Sequence, residues 1–331
     1  MRWGVLCCGI LCALMTVGAG VPAAAAADAD WRPEKPVEIV VPTAAGGEND
    51  RVARRIQQIL QDRKLVTTPV MVVNKEGGNQ VLAVVRVTQN AAEPHFLLYA
   101  TAILFTNQLA GLTQLSYRDL TPISLLLLDS TTLTVSLDSR IKSMRDLIDR
   151  LKADVKSVSF GTVARGGPNH LALSQAMRSA GVDPKALKVV IFKTNAESMT
   201  AVMGRHIDVV ASSVSAAFNN VLAGRLRMLA VAAEHRPTGT LAGVPTMGEF
   251  GIEATGVSNW RCIFAPKGIT LAQRAFWEKA MGVVNEADEW RKDIDARNLT
   301  IKFLRGKELG SYLDETYKAT RATMVDMGLA R

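Results

Sequence analysis

Cysteine is almost missing from this chain. Cys7, Cys8 and Cys12 lie close to the N-terminus, which leaves Cys262 alone in the remainder. One thiol closes no internal disulfide and completes no cysteine-based zinc site. Cys262 stands in an apolar strand pattern, where a thiol acts as a small buried hydrophobe rather than a nucleophile. Histidine is as sparse: residues 95, 170, 206 and 235 form neither an H-E-x-x-H motif nor a pair at helical spacing. No G-x-S-x-G segment presents a serine nucleophile. Aromatic residues make up only 5% of the chain and do not cluster with basic ones, and there is no polybasic run. A nucleic-acid partner is therefore not expected, despite a net charge of +8. That balance suits a receptor for small anions, and suits a basic solvated surface equally well.

Long apolar runs are missing too, with one exception. Arg2 precedes an apolar stretch from Val5 to Val17 that leads to Ala24-Ala25-Ala26. This is the layout of a cleaved export signal, and it is too short for a permanent membrane anchor. Residues 1–26 are expected to be the signal peptide, with cleavage after Ala26 or Ala27 and a mature chain of about 305 residues. No cysteine follows the small-residue pattern in the way lipidation requires. The mature length suffices for two domains or one large one, and without disulfides its stability must come from the core.

Short apolar runs alternating with helical patterns fill the rest. Strands are expected at 37–41, 70–74, 96–100, 122–128, 133–137, 157–160, 189–192, 208–211, 226–232, 261–265 and 300–303. Their near-continuous Val/Ile/Leu content predicts parallel strands buried on both faces. Helices at 169–180, 196–203 and 215–223 each stop at a glycine, which is expected to turn left-handed there. Repeated helix, glycine, strand describes a doubly wound α/β sheet. Two sheet-building regions separate near residue 127. Residues 27–127 and 255–331 are expected to form one discontinuous domain, and 128–254 the other. Two crossovers between them make a hinge, and the cleft at the strand ends is the default ligand site.

The loops at that cleft carry the functional signal. In Val37–Asp50 a strand feeds a helix through Gly46-Gly47, bringing bare backbone N–H groups to a helix start, an arrangement that holds anions. No Lys-Ser/Thr follows, so this is not a P-loop, and an ordinary βα turn is the commoner fate of an isolated Gly-Gly. Asp50 would repel a bound carboxylate and is expected to cap its own helix. The loop 161–170 repeats the logic, with Asn169 as a cap and His170 in the first helical turn. Lys75, Arg165 and Lys193 are candidates to neutralise a ligand, or solvated loop side chains. Ser212, Ser213 and Ser215 are hydroxyl donors after a strand, or helix caps.

Several segments, in order along the chain, resemble one family. They are Pro42-Thr-Ala-Ala-Gly-Gly-Glu-Asn-Asp50, Asn74-Lys-Glu-Gly-Gly78, Tyr117-Arg-Asp-Leu-Thr-Pro-Ile123 and Gly167-Pro-Asn-His-Leu171. Further on come Gly204-Arg-His-Ile-Asp-Val209, Ala223–Val231, Val244–Gly251 and Trp260…Ala265-Pro-Lys-Gly268. The set is similar to that of the Bug family, the TctC-like periplasmic receptors of tripartite tricarboxylate transporters, over essentially the whole mature chain. The resemblance implies a two-domain periplasmic-binding-protein fold of type II (a Venus flytrap). It implies no catalysis, no cofactor and no metal. The chain would act as a monomer in the periplasm, passing a small carboxylate to membrane subunits of the transporter. It also implies ligand contacts from Thr43, Ala44, Ala45, Gly46, Gly47, Gly77, Gly78 and Asn79 in the first domain. From the second they would come from Thr162, Asn169, His170, Ser212, Ser213 and Ser215. Thr43, the short Gly77-Gly78 run, Asn79 and Gln80 depart from the family pattern, which leaves the identity of the carboxylate open. A periplasmic hydrolase using His170, and a receptor feeding a sensor kinase, are the competing functions.

Overall fold

The structure is a computed structural model that describes residues 31–331 except 255 and 258. The signal peptide expected at 1–26 lies outside the described residues. Eleven strands form: β1 (Val37–Val41), β2 (Val70–Asn74), β3 (Phe96–Thr101), β4 (Leu120–Leu128), β5 (Thr131–Ser136), β6 (Ser159–Val163), β7 (Lys188–Phe192), β8 (Val209–Ser213), β9 (Leu226–Val231), β10 (Trp260–Pro266) and β11 (Thr300–Leu304). All the expected strand segments are among them, with ends shifted by a few residues. The helices are α1 (Glu48–Asp62), α2 (Val81–Thr88), α3 (Ile103–Leu109), α4 (Met144–Ala153), α5 (Pro168–Ser179), α6 (Asn195–Met203), α7 (Val214–Leu222), α8 (Leu271–Glu286), α9 (Asp288–Ala296) and α10 (Gly306–Asp326).

Two sheets result, in the orders β11-β4-β10-β3-β1-β2 and β7-β6-β8-β5-β9. The chain leaves the first sheet after β4 and returns to it at β10. Both sheets are mixed, which corrects the expectation of parallel strands. β10 runs antiparallel to β3 and β4, β11 to β4, and β5 to β8 and β9. The reason is where the chain crosses. It exits at the C-terminal end of β4 and so begins β5 at the cleft, opposed to strands that end there. β10 enters the first sheet in the same sense. Burial on both faces reports helices above and below, and parallel pairing does not follow from it.

Successive strand residues face opposite sides, which divides the cores. Ile39, Leu97 and Ile263 pack with Ile56 of α1, Trp277 of α8 and Trp290 of α9. Val40, Leu98 and Phe264 pack with Val84 of α2, Phe105 of α3 and Leu313 of α10. In the second sheet Leu133 and Phe160 meet Leu147 and Leu173, while Val210 and Val231 meet Val202 and Ala217. Gly181 and Gly224 take the left-handed conformation expected past a helix, with φ +78° and +66°. Gly204 does not: its φ is −76°, and Arg205 takes the left-handed position instead. No helix among the described residues is long and apolar enough to cross a membrane.

Candidate functional site

The cleft ends of β1, β2, β6 and β8 carry the loops singled out by sequence. After β1, Gly47 is the N-cap of α1, and Asp50 sits in the first turn with 2% exposure. Asp50 Oδ2 accepts from the backbone N–H of Gly46 at 2.8 Å and from Arg54 Nε at 2.9 Å. Burial alone would raise its pKa, but the hydrogen bonds from Arg54 and Gly46 outweigh it and the pKa falls. Asp50 therefore secures its own helix start by reaching backward from the third helical position. Gly47 donates to Ala44 O at 3.3 Å. The N–H groups expected to be bare are thus both engaged within the chain. Ala44, Ala45 and Gly46 are exposed, whereas the Thr43 hydroxyl is buried without a hydrogen-bond partner among the described residues.

The loop after β2 is strained. Gly77, Gly78, Asn79 and Gln80 have φ of +119°, +56°, +52° and +77° in succession. The two glycines adopt such angles freely, but Asn79 and Gln80 do so at a cost. Two sets of contacts hold them there. Asn79 Nδ2 donates to Asn107 Oδ1 at 2.6 Å, and Asn107 Nδ2 donates to the Asn79 carbonyl at 2.6 Å. Thr101 Oγ1 donates to Gln80 Oε1 at 2.7 Å. Asn107, on the short helix α3, gave no sign of this role in the sequence.

Across the cleft, α5 starts at Gly167, with Pro168 as its first residue. Asn169 is therefore not the cap, because proline at the first helical position moves the helix start ahead of it. Its Oδ1 accepts from Thr131 Oγ1 at 2.8 Å. His170 is 2% exposed, and its Nδ1 accepts from the Gly166 N–H at 3.0 Å. Burial, with the Arg165 guanidinium nearby, pushes its pKa down to about 4, so the ring is neutral. His170 holds the loop rather than facing solvent. Thr162 is fully buried, and its hydroxyl has no partner among the described residues. Lys75 and Lys193 are exposed. Cys262 is a buried free thiol whose pKa burial raises.

Ser212 and Ser213 end β8 and are buried, and Ser215 lies in the first turn of α7. Ser213 Oγ and Ser215 Oγ lie 3.3 Å apart. Ser215 Oγ donates to Asp129 Oδ2 at 2.8 Å, and Arg261 Nη2 approaches the same oxygen at 3.5 Å. Burial pushes the pKa of Asp129 up, opposed by Arg261 and by the Ser215 hydrogen bonds. The sequence reading passed over both charges. Their signal is a charge inside or directly after an apolar strand run, Trp260-Arg-Cys-Ile-Phe264 and Leu125–Asp129.

A cavity of about 390 Å³ opens between the lobes. Asn79, Thr106 and Asn107 line it from one side, Arg165, Gly166 and Gly167 from the other, with Leu329 and Arg331 at its edge. Its charged side chains are Arg165 and Arg331, and no Asp or Glu lines it. Of the expected contact residues it contains Asn79, and of the three candidate cations Arg165; the others lie on the flanking loops or beneath them. A second cavity of about 560 Å³, beside β11, contains none of them; Glu234 and Asp295 line it, and its cations are already paired, Arg236 with Glu249 and Lys302 with Glu234. It is the poorer place for an anion. No cluster of metal-ligating side chains occurs among the described residues.

Comparison with known proteins agrees with this architecture. Residues 52–321 match the profile described as "Tripartite tricarboxylate transporter family receptor". A Cupriavidus necator protein, described as "UPF0065 protein in gbd 5'region", is 28% identical over 333 residues, covering 98% of this chain and 96% of its own. A Rhodopseudomonas palustris protein solved with adipate has a similar fold, with a TM-score of 0.77, 21% identity, and coverage of 91% of this chain and 99% of its own. MatC from the same organism, solved with bound malate, has a TM-score of 0.70 at 22% identity and covers 88% of this chain and 99% of its own. These likenesses fix a two-domain type II periplasmic-binding-protein fold. With the profile spanning most of its length, the chain belongs to the tripartite tricarboxylate transporter receptors, a family of solute receptors and not of enzymes.

Proposed function

We propose that this chain is a periplasmic receptor, acting as a monomer, that captures one small organic carboxylate between its lobes. It then presents the ligand to the membrane subunits of a tripartite tricarboxylate transporter. The lobes are residues 27–127 with 255–331, and residues 128–254, moving about the two crossovers. One observation carries the reading: the interlobe cavity offers amides, a hydroxyl and two guanidinium groups, and no acidic side chain. Arg165 has no ion-pair partner among the described residues. The strained loop at Gly77–Gln80 adds weight, since such backbone persists where the surroundings force it and collects at ligand sites.

In this reading Gly77, Gly78 and Asn79 face the ligand from the first lobe. Arg165, Gly166 and Gly167 approach from the second. Thr43 to Gly47 and the buried hydroxyl of Thr162 flank the acid group. Asn169 and His170 position the second-lobe loop. Closure shifts an open–closed equilibrium only by the ligand's preference for the closed form. Neutral donors with the guanidinium groups of Arg165 and Arg331 hold an anion firmly enough for capture, yet allow release. The malate and adipate bound by the two R. palustris proteins belong to the same chemical class.

Calorimetric titration against a panel of organic acids tests this. A carboxylate should bind, and Arg165→Ala and Asn107→Ala should each weaken it by about tenfold or more, as lost charge-assisted or pinning hydrogen bonds do. Full affinity in both variants would move the site elsewhere, and silence across the panel would remove the proposal.

A further inference from the structure

One wall of the interlobe cavity comes from the turn that ends α10, beyond the residues matched to the family profile, which stop at 321. Gly328 takes φ +70°, its N–H donates to Val325 O at 2.9 Å, and Leu329 N–H donates to Met324 O at 2.8 Å. This is the Schellman pairing, in which the residue after the glycine folds back on the last helical turn. Leu329 accordingly packs with Met324, in the apolar cluster that holds Leu109 and Leu171. Arg331 N–H then donates to Leu109 O at 2.8 Å, which ties the turn to the end of α3. Backbone bonds thus fix this wall on both sides. Ile103, Ala110 and Leu112 continue the apolar lining from α3 and the residues after it, and Leu112 is 62% exposed.

The apolar wall abuts the cationic loop. A Cβ on Gly166 would stand 3.6 Å from Leu329 Cδ1 and 3.9 Å from Met324 Cε, so both side chains reach the residue next to Arg165. The polar side chains that line the first-lobe side are already engaged. Thr106 Oγ1 donates to Ile103 O at 3.2 Å, and Asn79 and Asn107 bond each other.

We infer that the turn after α10 selects the ligand's body: with Leu329 against Met324, the receptor favours carboxylates whose body is aliphatic or aromatic over hydroxylated acids of equal charge. The inference rests on the receptor reading above and narrows its ligand class. A carboxylate held at Arg165 has Leu329 and Met324 beside it, so the carbon skeleton that follows meets hydrocarbon. Each methylene moved there from water strengthens binding. A hydroxyl in the same place gives up its hydration and meets carbon, or polar groups that already have partners. Arg331 adds positive charge at the cavity edge and acts alike on two acids of equal charge. Charge-matched acids therefore isolate the contribution of the wall.

The test is calorimetric titration of the full chain at pH 7.5 with pairs matched in charge and carbon skeleton. They are hexanoate against gluconate, cyclohexanecarboxylate against quinate, and adipate against galactarate. At least one unhydroxylated acid should bind about tenfold or more tighter than its partner. Leu329→Ser should cut that ratio about fivefold or more, and if it does not fold, Leu112→Ser, at an exposed position, should cut it in the same direction. Hydroxylated acids bound as tightly as their partners would overturn the inference and leave the receptor reading standing. So would a ratio unmoved in both variants. If none of the six probes binds, this inference falls, and silence across the wider panel of organic acids would take the receptor reading with it.

Discussion

Gly161 shows how little room single residues have beneath the site. A Cβ there would stand 2.3 Å from Ile207 Cδ1 and 2.9 Å from Phe192 Cε2. Its neighbour Thr162 points to the other face of the strand. Gly161→Ala should overpack this layer and destabilise the protein by about 1–3 kcal/mol. Urea unfolding would measure it, and a loss near zero would mean that β6 shifts freely. Asn79 and Asn107 make the same point with polar atoms. Their two 2.6 Å bonds hold a left-handed asparagine where glycine would relax.

Among the elements, the loop before α5 is tied to it by the His170 ring as well as by the backbone bond from Gly167 N–H to Ala164 O at 3.1 Å. His170 accepts from Gly166 N–H only while Nδ1 is unprotonated. Its folded pKa, about 4, lies below the ordinary value of 6.5. The unfolded chain therefore binds the proton more readily, and stability falls as pH drops from about 6.5 toward 4. Above 6.5 the contribution is fully present. The whole effect is on the order of 3 kcal/mol. Chemical denaturation between pH 4 and 7 should show this slope, and His170→Gln should flatten it. An unchanged slope in the variant would place the titration on another group.

For the whole molecule, the two lobes are joined by more than the crossovers. Leu109 of α3, Leu171 of α5 and Met324 of α10 share one apolar cluster, and Arg178 pairs with Asp326 beside it. In the proposed receptor, closure is a balance between these contacts and the solvated open cleft, which a ligand would tip by binding the closed form. A carboxylate at one hundred times its Kd should add about 2.7 kcal/mol to stability. Thermal unfolding with and without the acid reads this. A ligand that binds by calorimetry yet leaves the melting temperature unmoved would mean that the unfolded chain binds it too.

The sequence by itself determined the elements. Apolar runs bounded by turn residues located every strand, because burial on a sheet writes itself locally as Val, Ile and Leu. Motif order sufficed for the family and the two-lobed architecture. Strand direction was settled only in three dimensions, because burial on two faces looks alike for parallel and antiparallel neighbours. The interior of the cleft was settled there too. Gly46 and Gly47 suggested open amides, and only the folded chain turns Asp50 back onto one of them. Asp129 and Arg261, far apart in sequence, become a pair because both crossovers meet at the cleft. Hydrogen bonds and charge pairing between distant segments leave no periodic trace, so the tertiary structure alone decides which charges are already taken.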